Sequence, residues 1–191
     1  MRYTERIAGP DRDEEFAVLE GMEGKYESKD ADYFNRVLQN EPSLVVRVHA
    51  VTVLSEIGDE SSVPVLADVM KNDPSPLIRH EAAFSLGQMG LKSAVPYLVD
   101  AALNDPSEIV RHESAAALGA IGDEGARDAL EKASRDVSDE VRGSAIASLF
   151  NLDFISYSKA NQKRDAEKLA AEIQEKREME ANSPKKKMPH P

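Results

Sequence analysis

The 191-residue chain contains no cysteine and no tryptophan. Without thiols, a disulfide framework and a thiolate metal site are both excluded, and the simplest expectation is a cytoplasmic protein. No apolar run approaches the roughly 20 residues that a membrane-spanning helix needs. Met1-Arg2-Tyr3-Thr4 is not followed by the apolar stretch of a secretory leader, so neither a leader nor a membrane partner is expected. What remains is ordinary: 41% hydrophobic and 31% charged residues, the composition of one soluble, folded domain.

Charge is unevenly spread. From Lys159 onward nine Lys+Arg face six Asp+Glu, so this tail is +3 and residues 1–158 carry −14 of the net −11. An acidic body repels phosphates, which excludes nucleic acid as a partner. It accepts a basic protein or a polyamine-like group, and it also serves solubility alone.

Repetition dominates the middle of the chain. Aligning Arg47, Arg79, Arg111 and Arg142 gives spacings of 32, 32 and 31 residues. Four positions before each arginine is a serine: Ser43, Ser75, Ser107 and Ser138, read as N-caps whose hydroxyls accept from first-turn N–H groups. One position before is β-branched (Val46, Ile78, Val110, Val141), three after is small (Ala50, Ala82, Ser114, Ala145), and seven after is leucine (Leu54, Leu86, Leu118, Leu149). That is a helix with a narrow apolar stripe. Gly58, Gly90 and Gly122 follow as stops, whereas the fourth unit has Asp153 there. Second helices are predicted over Ser62–Lys71 and Ala94–Asn104, with Pro64 and Pro96 in the first turn, where a missing N–H costs little.

Two short helices per unit of about 32 residues predict an all-α fold, an α-solenoid of about four to five helix pairs. Residues 41–157 form the repeat array. Residues 1–40 are cap helices or a degenerate first repeat, with a helix over Asp13–Glu23 that Gly24 interrupts and another over Asp32–Gln39. Residues 1–11 read as an unstructured lead. Residues 158–191 read as a long polar helix over Ser158–Ala181 and a disordered basic tail, SPKKKMPHP.

The chemistry sits directly after the arginines. The pairs there are Val48-His49, His80-Glu81, His112-Glu113 and Gly143-Ser144. Only the two middle units carry His-Glu, so the fold itself does not require it. Helices of stacked units lie roughly 8–10 Å apart, which lets two imidazoles reach a shared point with the carboxylates flanking it. Two histidines and one carboxylate suit non-haem Fe(II), and zinc also takes such a set. The fourth residues after His80 and His112 are Phe84 and Ala116, which excludes an HExxH protease. The same pairs also fit a polar patch on a protein-binding scaffold.

The stretches DPSPLIRHEAAFSLGQMG and DPSEIVRHESAAALGAIG closely resemble the His-Glu repeats of the deoxyhypusine hydroxylases, HEAT-repeat di-iron monooxygenases. The units also look like the wider HEAT-like class that includes phycobilin lyases, most of which lack His-Glu. In the hydroxylases, two halves of four repeats each bring two His-Glu pairs to face one another across the irons. The resemblance covers Glu41–Asp153, the length of one half. It implies that His80, His112 and Glu113 ligate iron, and that Glu81 is a catalytic carboxylate, a further ligand or a contact for the substrate amine. It implies Fe(2+) as cofactor and, as substrate, a lysine-derived side chain on a protein such as translation factor 5A, hydroxylated with O2. This chain has two His-Glu pairs rather than four, so a di-iron centre would require a homodimer. The expected function is therefore an iron-dependent monooxygenase, with a non-enzymatic interaction scaffold as the alternative.

Overall fold

In a computed structural model of the chain, which describes residues 12–182, the pattern of apolar slots becomes a stack of antiparallel helix pairs. The pairs are α1 (Arg12–Glu27) with α2 (Ala31–Asn40), α3 (Leu44–Ile57) with α4 (Ser62–Asn72), α5 (Pro76–Met89) with α6 (Val95–Asn104), and α7 (Glu108–Ile121) with α8 (Arg127–Ala133). Helix α9 (Asp139–Asn182) follows. Among the described residues there is no strand, and the fold is the predicted all-α solenoid. The lead at 1–11 and the tail from Ser183, which includes His190, lie outside the described residues.

The recurring slots are the core. Val46, Ile78, Val110 and Val141 are buried, as are Ala50, Ala82, Ser114 and Ala145. Leu54, Leu86 and Leu118 are fully buried, and Leu149 is partly buried against them. Each buried leucine contributes roughly 1.5–3 kcal/mol, and stacking supplies what one helix pair cannot bury alone.

Local chemistry departs from the sequence expectation at several points. The serines do stand at helix starts, but among Ser43, Ser75 and Ser107 only Ser43 accepts a capping bond, from Val46 N at 3.4 Å. The acid two residues earlier orders the turn instead. Asp73, Asp105 and Asp136 accept from the serine N–H groups at 2.8–2.9 Å, and Glu41 does so at Ser43. A carboxylate accepts from the N–H two residues further on, a turn that it holds more strongly than a hydroxyl does. Gly90 and Gly122 end their helices with φ of 67° and 66°, the left-handed conformation that glycine adopts without cost. Gly58 ends α3 in extended backbone, at φ −65°. Gly24 does not interrupt α1, because the buried Met22 anchors that helix into the core and outweighs the cost of about 1 kcal/mol for a helical glycine.

The chain divides into two compact units, Met1–Leu152 and Asp153–Pro191. The division falls within α9, which runs through Asp153 and Ser158 without a break, so the polar helix is not a separate element. The second unit is highly charged, with exposed Leu169 and Ile173 and a Lys163–Glu167 pair at 3.9 Å.

Candidate metal centre

The site is built by the first turns of α5, α7 and α9. Their register comes from an arginine ladder. Arg47 Nε donates to Asp73 of the next unit at 3.1 Å, Arg79 to Asp105 at 2.8 Å, and Arg111 to Asp136 at 2.9 Å. Each arginine also donates Nη1 to a main-chain carbonyl just before its own helix: Pro42, Asp73 and Asp105. Successive helices are thus locked at equivalent heights, and the residues that follow each arginine come into line.

His80 Nε2 lies 3.4 Å from Glu113 Oε2 of the next unit, and His80 Nδ1 lies 3.4 Å from Glu81 Oε1. The Glu113 carboxylate raises the His80 pKa above its ordinary value; partial burial opposes this, and Glu81 adds to the rise. Nδ1 is buried and lacks an aligned hydrogen-bond partner, the Glu81 contact being too long and poorly directed to serve. His112 makes different contacts. Its Nδ1 is 2.7 Å from Ser144 Oγ and 3.3 Å from the Glu140 main-chain oxygen.

His80 and His112 both line one pocket of about 420 Å³, together with Glu108, Ile109 and Glu140. The Glu140 carboxylate accepts from Ser138 Oγ at 2.8 Å, and its pKa is lowered, first by a main-chain hydrogen bond and then by that hydroxyl. His80, Glu81 and Glu113 are therefore brought together, and His112 shares the pocket with His80. Glu113 lies against His80. His49, in the Glu slot of its unit, is exposed. Ser144, Glu108 and Glu140 were not among the site residues that the sequence pattern pointed to. Ser144 was legible in principle, because it occupies the slot that holds Glu113 one unit earlier.

The donor types are ones that iron takes: two imidazoles on one pocket and a carboxylate beside the first. Among the described residues, however, no three His, Asp or Glu side chains converge closely enough within one chain to hold an ion. The pocket is a set of donors in register.

Among known proteins, human deoxyhypusine hydroxylase, solved in complex with glycerol, is similar at 28% identity and a TM-score of 0.63. The match covers 73% of this chain and 49% of that one, so it spans about half the length of the hydroxylase. No curated protein sequence matches. Among the described residues no helix is long and apolar enough to cross a membrane. The family model for HEAT repeats matches residues 4–83 and 64–149, windows that overlap and together cover most of the sequence. The chain belongs to the HEAT repeat family.

Proposed function

We propose that this protein is an iron-dependent oxygenase akin to deoxyhypusine hydroxylase, assembled as a homodimer in which each chain supplies one half of the centre. One observation carries the reading: His80 and His112, from the only two units with His-Glu pairs, open onto one pocket with Glu113 against His80. The similarity to about half of a hydroxylase chain supports it. A two-fold contact would bring a second, identical set opposite the first.

His80, His112 and Glu113 would hold the iron. Bound iron supplies the activation of O2. The chain's own residues do the rest. Glu113 Oε2 and His80 Nε2, 3.4 Å apart, would both face the ion, and Glu81 lies beside the other ring nitrogen, placed to act on the substrate amine or as a further ligand. Glu108 and Glu140 make the rim anionic and draw in a cationic, lysine-derived side chain such as deoxyhypusine on a translation factor 5A-like protein.

The test is anaerobic reconstitution with Fe(II), followed by elemental analysis, mass in solution, and hydroxylation of a deoxyhypusine-bearing protein. The expected result is about one iron per chain in a dimer, with iron lost in His80→Ala and His112→Ala while the helical signal is kept. A fully folded wild type that takes up no iron overturns the reading and leaves an interaction scaffold, in which those substitutions would be silent for partner binding.

A further inference from the structure

The arginine ladder sets each histidine against the second slot of the following unit. For His80 that slot holds Glu113, and for His112 it holds Ser144. The two rings therefore meet different chemistry. Both His80 nitrogens lie 3.4 Å from a carboxylate oxygen. The His112 Nδ1 instead faces a hydroxyl at 2.7 Å and a main-chain carbonyl at 3.3 Å.

A carbonyl oxygen only accepts. The contact with the Glu140 carbonyl is therefore attractive only when Nδ1 carries the hydrogen; Ser144 Oγ, which can donate or accept, does not choose the tautomer but holds the ring at 2.7 Å, against that carbonyl. A lone pair on Nδ1 would be satisfied by the hydroxyl alone and would leave two acceptors face to face. The ring with hydrogen on Nδ1 has its lone pair on Nε2, the atom free to bind a ligand.

Helix α9 is pinned where this contact needs it. Ser148 Oγ donates to the Ala115 carbonyl at 2.8 Å, and Asn151 Nδ2 donates to the Gly119 carbonyl at 2.8 Å. Ser144 lies one turn before Ser148 on the same helix, so it is carried by a fixed element.

We infer that Ser144, together with the Glu140 carbonyl, is a positioning residue that locks His112 in its Nδ1–H tautomer and presents Nε2 as a ready-made donor to a divalent cation. This rests on the metal-centre reading above, and its test separates the two. In the metal-free full-length protein, long-range proton–nitrogen correlation of labelled histidine reads the tautomer of His112 directly. Nδ1–H is expected in the wild type, a mixture with Nε2–H in Ser144→Ala, and recovery in Ser144→Thr, which keeps the hydroxyl. Fe(II) titration of the same three proteins should show affinity falling about 10- to 100-fold in Ser144→Ala and returning in Ser144→Thr. Thermal melts confirm that all three are folded.

An Nε2–H tautomer in the wild type, or a tautomer unchanged by Ser144→Ala, overturns the inference whether or not iron binds. A tautomer that responds to Ser144 in a protein that takes up no iron supports the lock and overturns the metal-centre reading instead.

Discussion

Arg79 and Asp105 form a two-pronged bridge between successive units, Nε to Oδ2 at 2.8 Å and Nη2 to Oδ1 at 3.0 Å. Both side chains are at least nine-tenths buried. Asp105 accepts at the same time from Ser107 N at 2.8 Å, so one carboxylate orders the start of α7 and ties it to α5. The pairing holds the Arg79 guanidinium more firmly protonated than usual. Because His80 follows Arg79 directly, the bridge also fixes the height at which His80 meets the next helix.

Breaking that bridge should be costly. Asp105→Ala leaves a buried guanidinium unpaired, and the expected loss is about 3–5 kcal/mol, a drop in Tm of roughly 10 °C for a chain of this size. Lys71→Ala removes a bridge to Asp100 between exposed side chains, at 3.4 Å, and should change stability by under about 1 kcal/mol. Chemical denaturation of both variants beside the wild type checks the contrast; equal effects would remove the ladder from its structural role.

Acid should loosen the last rung of the array. The Asp136 carboxyl is held below the ordinary carboxylate pKa, chiefly by the Arg111 guanidinium and also by the Ser138 N–H. A depressed folded pKa gives stability that is fully present above the unfolded value of about 3.9 and is lost as pH falls through the lower folded value. Denaturation midpoints measured between roughly pH 5 and 2 should fall more gently in Asp136→Asn than in the wild type, from a lower starting point.

How much of this was readable beforehand depended on what repeats. The helices, the leucine and small-residue slots, and the two His-Glu pairs all recur at fixed offsets, and periodicity alone placed them. The arginines were equally visible, but not their partners. Asp73, Asp105 and Asp136 each lie 25 or 26 residues beyond the arginine they bind, a distance that only stacking makes short. The same blindness concealed Ser144. As a residue in a slot that elsewhere holds glutamate, it looked like the loss of a site, whereas across the stack it is the closest polar partner of His112. The continuity of α9 was hidden for a different reason: the apolar pattern ends near Asp153 while the backbone carries on, since Lys, Glu and Ala extend a helix without needing a core.

His80 should titrate above an ordinary histidine in the metal-free protein, because the Glu113 carboxylate lies against Nε2 and outweighs burial. A raised folded pKa gives stability that is fully present below the unfolded value of about 6.5 and lost as pH rises through the folded one. Glu113→Gln removes the charge while keeping the shape, so its His80 resonance should titrate at lower pH. The stability of that variant should depend less on pH across the same window. A His80 titration that ignores Glu113 in NMR would show that the two side chains do not interact in solution.

Gly119 permits the approach of α9 on which the His112 contact depends. A Cβ there would meet Ser148 Cβ at 2.6 Å and Ser148 Cα at 2.9 Å, both too close for carbon atoms, and the second of these is backbone that cannot rotate away. Gly119→Ala must therefore push α9 off α7. The replacement gains helix propensity of up to about 1 kcal/mol, but overpacking costs about 1–3 kcal/mol, so a net loss of stability is expected. The informative readout is local. Moving α9 outward weakens the bonds from Ser148 to Ala115 and from Asn151 to Gly119, and it draws Ser144 away from His112. The His112 tautomer should then shift in Gly119→Ala much as in Ser144→Ala, although position 119 touches neither ring. Gly24→Ala is the control: a Cβ there meets nothing within 4 Å, so it should stabilise α1 slightly and leave His112 as it was. If the tautomer stays fixed in Gly119→Ala while stability falls, then α9 packing and the His112 contact are independent, and the serine is held by something other than the close approach of the two helices.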